Sequence, residues 1–465
     1  MNDEVLGVKR DGSASDKRNA AKAVAPPPLP QTATPVDEPI AGELQSTASS
    51  EISTLMTEVL EGENLKRALA QVKRNKGAPG IDGMTVDQLG VYLKAHWPNI
   101  RAQLVTGTYR PQPVKRVEIP KPDGRKRLLG IPTVVDRFLQ QALAQVVQRQ
   151  WEPHFHPHSY GFRPGRNAHQ AMRYVQATIR QGYGWVVDID LESFFDRVNH
   201  DRLMVRVRKH VDAPDVLNLI NRFLKGGVQV AGQTQATTQG VPQGGPLSPV
   251  LANVVLDELD WELQRRGHRF ARYADDCNIL VKSHRAGERL MQNVTRYLRD
   301  SLRLTVNAQK SAVDRPRNRK FLGFTVSRDG ARIKVADSAI EKLKAKIREL
   351  TRRTRGHRLS DIVQELKTAL TGWKAYFGIA EVLSPLREID KWVRRRLRCY
   401  AWKQWGSAGY RELRKRGVSV REAWNTSKSA HGPWRLSQTP ALSLALPARM
   451  FRQMGLPELA PAKAA

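Results

Sequence analysis

The chain of 465 residues has almost no cysteine and no long apolar run. Its two cysteines, Cys277 and Cys399, are too few for a disulfide framework, which favours a protein of the reducing cytoplasm. No apolar stretch approaches the roughly 20 residues of a membrane span. The N-terminus also lacks the hydrophobic segment of a secretion signal. We therefore expect a cytoplasmic protein without a membrane partner.

Acidic residues are also scarce. Lys and Arg number 77 against 45 Asp and Glu, which gives a formal net charge of +32. Such an excess favours a polyanionic partner, because each phosphate that a basic side chain neutralises releases counterions and strengthens binding. A solvated basic surface is the alternative, and we favour nucleic acid.

Two adjacent acids, Asp275 and Asp276, lie within the sequence Tyr-Ala-Asp-Asp at residues 273–276. The flanking residues 268–272 and 277–281 include bulky β-forming side chains and predict a strand, a turn and a second strand. Two carboxylates at a hairpin tip repel each other unless a cation neutralises them, so the pair suits divalent metal ions. Alone the pair is weak evidence for a metal site, because Asp pairs also occur in ordinary polar turns.

A second acidic segment lies upstream, at residues 185–196, where an apolar run turns acidic at its end. A buried strand that delivers a side chain to a site has this pattern. Asp190 is our candidate for the acid that this strand delivers to the site. Asp188 competes with it, because a residue two positions earlier shares the same strand face. Between the two acidic segments, residues 239–249 are Gln-Gly-Val-Pro-Gln-Gly-Gly-Pro-Leu-Ser-Pro. This glycine-rich loop before a predicted helix lets backbone approach an anionic ligand closely.

The three segments, in this order, resemble the palm of a reverse transcriptase. The pattern Gln-Gly-x-Pro-Gln-Gly-x-x-x-Ser-Pro before Tyr-Ala-Asp-Asp is similar to that of the reverse transcriptases and maturases encoded by group II introns. Further segments that resemble this family lie at residues 126–133, 159–166, 321–324 and 372–377, so the resemblance runs from about Gly77 to near the C-terminus. It implies an α+β right-hand polymerase fold, in which fingers and palm combine an antiparallel sheet with helices and precede an α-helical thumb, the maturase domain X.

Four regions are expected along the chain. Residues 1–50, rich in Ala, Pro, Ser and Thr, predict a disordered leader. Residues 51–335 would hold fingers and palm with an N-terminal extension, and residues 336–405 would form the helical thumb or domain X. Residues 406–465 resemble the short, basic DNA-binding segment of the family.

Local patterns predict several elements within these regions. Apolar residues at helical spacing begin at Thr54 and end before the glycine-rich residues 77–83. The resemblance implies that this loop is a lid over the template strand, and a simple connector is the alternative. An amphipathic helix is expected over residues 138–151, and strands at 321–326 and 332–335 predict a hairpin that corresponds to the family's primer grip.

The resemblance also implies a site for nucleotidyl transfer with two Mg²⁺ ions. Asp190 and Asp275 would bridge the ions, and Asp276 would assist. The backbone carbonyl of Leu191 would be a further metal ligand. The three acids are the predicted catalytic residues.

Phe195 supports this choice of acids and predicts the substrate. The family has an aromatic residue five positions after its metal-binding Asp, so Phe195 favours Asp190 over Asp188. A ring beneath the sugar would collide with a 2′-hydroxyl and so select deoxynucleotides. A core phenylalanine is the alternative, and Phe194 fits that role better because alternate strand residues face opposite ways.

Other predicted roles rest on the resemblance. The residues expected to contact the incoming dNTP are Lys121, Arg127, Phe195, Gln243 and Lys310. The residues expected to contact nucleic acid are Arg163, Arg166, Arg394, Arg395, Arg396 and Arg398. Lys310 is also a candidate proton donor to pyrophosphate. Simple solvation is the alternative for surface Lys and Arg.

The leading hypothesis is an RNA-directed DNA polymerase that copies intron RNA into cDNA and binds the intron RNA as a ribonucleoprotein, which assists splicing and mobility. Its partners would be intron RNA, an RNA template with a DNA primer, and target DNA, with association to the bacterial nucleoid during action on DNA. The alternatives are a splicing-only maturase and a domesticated reverse transcriptase in phage defence or CRISPR adaptation. The oligomeric state stays open.

An endonuclease domain is not expected. Many group II intron proteins end in a domain with His-Asn-His chemistry and paired cysteines, whereas no cysteine follows Cys399 here. We therefore expect cDNA synthesis to be primed by a nascent strand at a replication fork.

Overall fold

The computed structural model describes residues 52–120, 124, 126–230, 232–330 and 332–461. The predicted leader at residues 1–50 lies outside these ranges, and so does Lys121. Within them, no helix is both long enough and apolar enough to cross a membrane.

The described strands form a four-stranded fingers sheet, a four-stranded palm sheet and a separate hairpin. They are β1 (Val114–Pro120), β2 (Lys126–Ile131), β3 (Trp185–Ile189), β4 (Val228–Val230), β5 (Gln233–Gln235), β6 (Arg269–Tyr273), β7 (Asp276–Val281), β8 (Ala312–Asp314), β9 (Phe324–Val326) and β10 (Ile333–Val335). The fingers sheet has the order β2-β1-β4-β5, and the palm sheet has the order β6-β7-β3-β8. The palm sheet is antiparallel throughout, as predicted.

Helices surround these sheets and form the C-terminal region. They are α1 (Thr54–Leu60), α2 (Gly62–Asn75), α3 (Leu89–Val105), α4 (Val134–Trp151), α5 (Ala168–Arg180), α6 (Phe194–Arg197), α7 (His200–Val207), α8 (Pro214–Lys225), α9 (Ser248–Arg265), α10 (His284–Tyr297), α11 (Asp337–Leu350), α12 (Leu359–Phe377), α13 (Ser384–Trp405), α14 (Gly409–Lys415), α15 (Val420–Ser427), α16 (Pro433–Leu436), α17 (Pro440–Ala445) and α18 (Ala448–Gln453). A π-helical turn covers Leu298–Leu302, and 3₁₀ turns cover Pro316–Asn318 and Gly406–Ala408. The described elements after β10 are all helical, so the predicted change from mixed to helical structure is confirmed.

The N-terminal helical segment is two helices. The Ser53 side chain accepts a hydrogen bond from the amide of Met56 (3.0 Å) and so caps α1. Glu61 is extended, with φ −62° and ψ 136°, and separates α1 from α2. The helix expected over residues 138–151 begins earlier, at Val134, and is buried around most of its circumference. Four residues of the expected range that are at least partly exposed share one face, namely Gln141, Gln145, Gln148 and Arg149, so the helix is amphipathic as predicted, with a wide buried face.

The central strand of the palm is buried on both faces. Val186, Val187 and Ile189 of β3 are each at most 1% exposed. Helix α10 packs closely on this sheet, since a Cβ atom on its Gly287 would lie 3.5 Å from Val187. A strand covered on both sides carries a continuous apolar run, which explains the sequence pattern before the acids.

The C-terminal helices share one apolar core, which extends from Val335 to Ala460. Leu366 of α12 and Phe451 of α18 are both 0% exposed within it. The predicted boundary at residue 405 therefore falls inside a core, to which residues on both sides contribute. The sequence pattern missed α14 to α18 because helices of four to eight residues are too short for helical periodicity to be recognised.

Candidate active site

The acidic pair lies at the tip of the β6–β7 hairpin. Tyr273 pairs directly with Asp276, so only Ala274 and Asp275 span the turn. Ala274 has φ +57°, in the left-handed region. That conformation is unfavourable by about 1 kcal/mol for a residue with a Cβ atom, so surrounding contacts must stabilise the turn. The predicted hairpin is confirmed.

Strand pairing places Asp190 beside this tip. Ile189 pairs with Cys277 in the β3–β7 ladder, so the next residue along β3 lies opposite Asp276. The Asp190 amide donates to Ser311 Oγ (3.0 Å), and the Asp190 carbonyl accepts from the Asn307 amide (2.8 Å). These bonds hold the strand end while leaving the Asp190 side chain 43% exposed. The structure therefore brings the three predicted acids to one end of the palm sheet.

Asp188, the competing candidate, is engaged elsewhere. Its carboxylate accepts hydrogen bonds from Arg319 (2.6 Å) and from the Asn278 amide group (3.0 Å). Its side chain is only 13% exposed. Asp188 is therefore placed as a structural ion-pair partner, whereas Asp190 faces the open end of the sheet.

The acids interact electrostatically. Burial raises the pKa of Asp276 to about 7, and repulsion from Asp188, Asp275 and Asp190 adds to the shift, whereas Lys320 opposes it. Among the described residues, no group of three or more His, Cys, Asp or Glu is arranged closely enough to hold a metal ion. Mg²⁺ is typically bound by one or two carboxylates together with waters and substrate phosphates. A divalent cation at this place would therefore need oxygen ligands from water or substrate in addition to the acids.

Leu191, the predicted carbonyl ligand, lies in an isolated bridge to Val306. The bonds of this bridge run from the Glu192 amide to the Thr305 carbonyl and from the Asn307 amide to the Asp190 carbonyl, both 2.8 Å long. Neither bond uses the carbonyl of Leu191.

A buried ion pair that the sequence reasoning missed supports the turn. The Arg272 guanidinium, 0% exposed, donates to Asp260 of α9 (2.7 Å) and to the carbonyl of Ala274 (2.9 Å). It also donates to Asn253 Oδ1 (3.0 Å), while the Asn253 amide group donates to the Gly161 carbonyl (2.8 Å). Arg272 thus links the turn to a long helix. The sequence signal for this role was weak, because β6 contains a second arginine, Arg269, which is exposed.

The residues predicted to contact dNTP have different surroundings. Phe195 is partly buried, and its carbonyl accepts from the Val241 amide (2.6 Å) in the glycine-rich loop. Gln243 is tied to the fingers, since its carbonyl accepts from the Gly130 amide (2.9 Å). Lys310 Nζ lies 3.8 Å from Asp190. Arg127 lies on β2, opposite Ile119 of β1.

Phe194, the predicted core residue, is 3% exposed. It lies on the short helix α6 and not on a strand, so the alternation argument was wrong although the burial was right.

Several arginines predicted to contact nucleic acid have partners within the protein. The Arg163 side chain is 3% exposed and pairs with Glu152 (2.8 Å). The guanidinium also donates to the carbonyls of His156 and Ser159, and the nucleic-acid contact of Arg163 stays a prediction. Arg166 is exposed, and its guanidinium lies 5.9 Å from the centre of the Tyr160 ring.

The four arginines of α13 that were predicted to contact nucleic acid also make contacts within the helical domain. Arg394 pairs with Glu458 (3.4 Å), and Arg395 lies over the Trp434 ring at 3.8 Å. Arg396 donates to Thr351 Oγ1, and Arg398 donates to the Leu446 carbonyl (3.0 Å). The prediction that these side chains simply face RNA was therefore incomplete, because each also binds neighbouring helices or loops.

A palm sheet with two acids on a hairpin and a third on the adjacent strand, flanked by a fingers sheet and a helical domain, is expected for a template-directed polymerase. Residues 119–326 match the family of reverse transcriptases (RNA-dependent DNA polymerases). Residues 340–417 match the maturase-specific domain of group II introns. The class of the protein is therefore a reverse transcriptase, an RNA-dependent DNA polymerase.

Similar proteins specify the family. Protein YkfC of Escherichia coli (strain K12) is 33% identical over 305 residues, which are 57% of this chain and 80% of that protein. The group II intron-encoded protein LtrA of Lactococcus lactis subsp. cremoris is 38% identical over 190 residues, which are 40% of this chain and 31% of that protein. Telomerase from Candida albicans matches over 73% of this chain and 67% of its own, with 12% identity and a TM-score of 0.40. The chain belongs to the group II intron reverse transcriptase and maturase family.

Proposed function

We propose that the protein copies intron RNA into cDNA with two Mg²⁺ ions and binds the intron RNA to assist its splicing and mobility. The observation that carries this proposal is the convergence of Asp190, Asp275 and Asp276 at one end of the palm sheet. Acids that repel one another at a single place destabilise a fold. A polymerase requires them to hold its metal ions.

Asp190 and Asp275 would hold the two ions, with Asp276 beside them and the Leu191 carbonyl as a further oxygen ligand. When bound, Mg²⁺ supplies charge for the triphosphate and for the attacking 3′-hydroxyl. The new bond joins the primer 3′-oxygen to the α-phosphorus of the dNTP as the bond to pyrophosphate breaks. Lys310 would give a proton to the departing pyrophosphate, and its distance of 3.8 Å from Asp190 supports this role.

Phe195 would select the sugar of the incoming nucleotide. Its backbone is tied to the glycine-rich loop through the Val241 amide (2.6 Å), and its ring packs edge-on against Phe194, which supports a defined ring position. In this proposal the ring excludes a 2′-hydroxyl, and Gln243 of the same loop packs beside the nucleotide.

The maturase-specific match at residues 340–417 supports intron RNA as a partner in a ribonucleoprotein. The formal net charge of +32 suits phosphate backbones, so an RNA template, a DNA primer and target DNA are the further partners proposed. Action on target DNA would place the protein at the bacterial nucleoid. The same match favours an intron role over phage defence or CRISPR adaptation.

Primer extension on an RNA template with Mg²⁺ and dNTPs tests the site. We expect Asp275→Ala/Asp276→Ala to reduce synthesis by at least about a thousandfold, because the variant loses the charges that hold the metal. Asp300→Ala is a matched control, since Asp300 lies in an exposed turn and pairs with Arg299. Its synthesis should equal that of the wild type.

Splicing of the flanking intron, measured with the same proteins, separates the two activities. Lost synthesis with retained splicing supports an enzyme with two functions. Undiminished synthesis in the double variant would refute the assigned acids. Absent synthesis in the wild type, with splicing intact, would favour the splicing-only maturase.

A further inference from the structure

A cavity of about 550 Å³ lies on the palm, between α9, the C-terminal end of α7 and residues 151–154. Its walls include three large aromatic side chains, Trp151, Trp261 and Tyr297. Among the described residues that line it, none is assigned above to nucleotidyl transfer. The cavity therefore has no role in the proposed polymerase chemistry.

Asp257 lines this cavity and is only 9% exposed. Its Oδ1 accepts a long hydrogen bond from the His156 amide (3.4 Å). Within the described chain, no hydrogen bond reaches Oδ2 and no cation pairs with the carboxylate. At 100° per residue, Asp257 and Trp261 share one face of α9, whereas Asp260, the anchor of Arg272, lies on an adjacent face. The Oδ2 atom of Asp257 is therefore available to accept a hydrogen bond from a ligand in the cavity.

Two donors in the same walls also lack acceptors. Trp151 Nε1 and Arg206 Nε are buried, and neither donates to any acceptor among the described residues. Both side chains line the cavity. Both nitrogens are enclosed by protein atoms, so a ligand in the cavity does not reach them, and the accepting group that the walls offer is Asp257.

The charged residues of the walls otherwise balance one another. Arg206 and Lys209 pair with Glu258 at 2.8 and 2.9 Å, and Arg265 pairs with Glu262 at 2.7 Å. A cationic ligand would meet these basic groups, so a neutral ligand with donors is favoured. Trp261, 43% exposed, offers a flat surface for a planar ring.

We propose that this cavity binds a guanine base, with Asp257 accepting from its Watson–Crick edge and Trp261 stacking on the ring. Guanine carries adjacent N–H donors, N1–H and the 2-amino group, which a carboxylate can accept. Aromatic stacking and hydrogen bonding to base edges are the usual means by which proteins hold an unpaired base. The base belongs either to a free guanine nucleotide or to an unpaired nucleotide of bound RNA. This binding is additional to the proposed polymerase function.

Calorimetric titration of the full chain with GMP, AMP, CMP and UMP tests the proposal. The buffer contains EDTA, so that metal-dependent binding at the acids is suppressed. We expect GMP to bind at least about tenfold more tightly than the other three, because they lack its paired donors. Asp257→Asn and Trp261→Ala should each weaken GMP binding about tenfold or more.

Two controls keep the result specific. Trp424→Ala removes another exposed tryptophan (55% exposed), on α15, and should leave GMP affinity unchanged. Asp275→Ala/Asp276→Ala should also retain GMP binding, so that failure of the polymerase proposal and failure of this one are distinguishable. Thermal melting establishes that Asp257→Asn is folded.

Short RNA hairpins that contain one unpaired guanine or inosine distinguish the two sources of the base. Inosine lacks the 2-amino group, so weaker binding of the inosine hairpin, with competition by GMP, assigns the site to RNA. If GMP binds and the protein binds both hairpins with equal affinity, the site is assigned to a free nucleotide. Equal binding of all four nucleotides, no GMP binding, or unchanged GMP affinity in both Asp257→Asn and Trp261→Ala would overturn the proposal. Spermidine binding that depends on Asp257, without GMP binding, would also overturn it.

Discussion

At the scale of single residues, the acidic turn depends on a side chain that does not take part in the chemistry. Arg272 has no exposed surface, and its guanidinium joins Asp260, Asn253 and the Ala274 carbonyl. Burial of an unpaired charge is very unfavourable, so the ion pair with Asp260 makes this arrangement possible. The bond to Ala274 then stabilises a left-handed residue next to the acids.

Substitutions at Arg272 separate its contribution to the stability of the fold from its contribution to the position of the acidic turn. We expect Arg272→Met to reduce the free energy of unfolding by about 3–5 kcal/mol, because Asp260 stays buried without its partner. The double variant Arg272→Met/Asp260→Leu should recover most of that stability, since well-packed apolar groups replace the pair. It should still lose at least about tenfold in kcat, with little change in the KM for dNTP, because the Ala274 carbonyl loses its donor.

Urea unfolding and steady-state primer extension measure these two quantities. A stable double variant with wild-type kcat would show that catalysis does not depend on the hydrogen bond from the guanidinium to the Ala274 carbonyl. Arg272→Lys, which keeps the charge but loses the forked donor, should fall between the wild type and Arg272→Met in kcat.

Asp257 should make stability depend on pH. Burial, followed by repulsion from Asp260, raises the pKa of Asp257 to about 7, while the His156 amide and the more distant Arg272 and Arg163 oppose the shift. An unfolded Asp titrates near pH 4. Between about pH 4 and 7 the folded state therefore holds a proton that the unfolded state has lost, and the free energy of unfolding falls as pH rises.

Asp257→Asn removes this titration. We expect the variant and the wild type to be similarly stable at pH 4, and the variant to be more stable by about 2–4 kcal/mol at pH 8. Urea unfolding at several pH values tests this. A stability difference that does not vary with pH would contradict the assignment.

At the scale of elements, the active site is an alignment of three segments. The β3–β7 register brings Asp190 to the hairpin, the glycine-rich loop reaches Phe195, and Gly161 lies against the turn. A Cβ atom on Gly161 would collide with the Ala274 amide and would lie 3.0 Å from the Tyr273 carbonyl carbon. The hairpin therefore packs directly on the backbone of the 159–166 loop.

Gly161→Ala should move the hairpin and lower kcat about tenfold or more, because small displacements of catalytic groups have large effects on rate. Affinity for RNA, measured by filter binding, should change little. Gly62→Ala is the matched control, since no atom lies within 4 Å of the added methyl group, and its activity should equal that of the wild type. Full activity of Gly161→Ala would show that the 159–166 loop can move to accommodate the methyl group without displacing the acids.

At the scale of the whole molecule, separate apolar cores underlie the polymerase and C-terminal parts of the chain. One extends from Met56 to Leu304, and another from Val335 to Ala460. The second includes the short helices after Trp405, so the C-terminal residues contribute to the stability of the thumb. Removal of these residues would expose the apolar faces of α12 and α13.

Phe451→Ala tests this shared core. We expect a loss of about 3–5 kcal/mol in the free energy of unfolding of the C-terminal helices, because the aromatic ring is fully buried. Leu444→Ala is the control, since Leu444 is 55% exposed, and its effect should stay within about 0.5 kcal/mol. Chemical denaturation followed by circular dichroism measures both. Equal effects of the two substitutions would contradict a core that includes α18.

The class of protein came from the resemblance of its motifs to a known family. The sequence by itself determined the acidic hairpin, the long thumb helices and the position of Asp190 at a strand end. These features depend on β propensity, turn chemistry and apolar periodicity, which act between residues close in the chain. The family resemblance then assigned roles to individual positions, of which the structure places Asp190, Asp275 and Asp276 together.

Only the tertiary structure decided which charged residues are enclosed and what they bind. Asp188 meets Arg319 across 131 positions of sequence, and Arg163 turns inward to Glu152 although its motif suggested an outward role. The short helices after Trp405 became evident only through their burial with α12 and α13. A side chain's exposure and its ion partner depend on the packing of segments distant in sequence, and local periodicity carries no information about that packing.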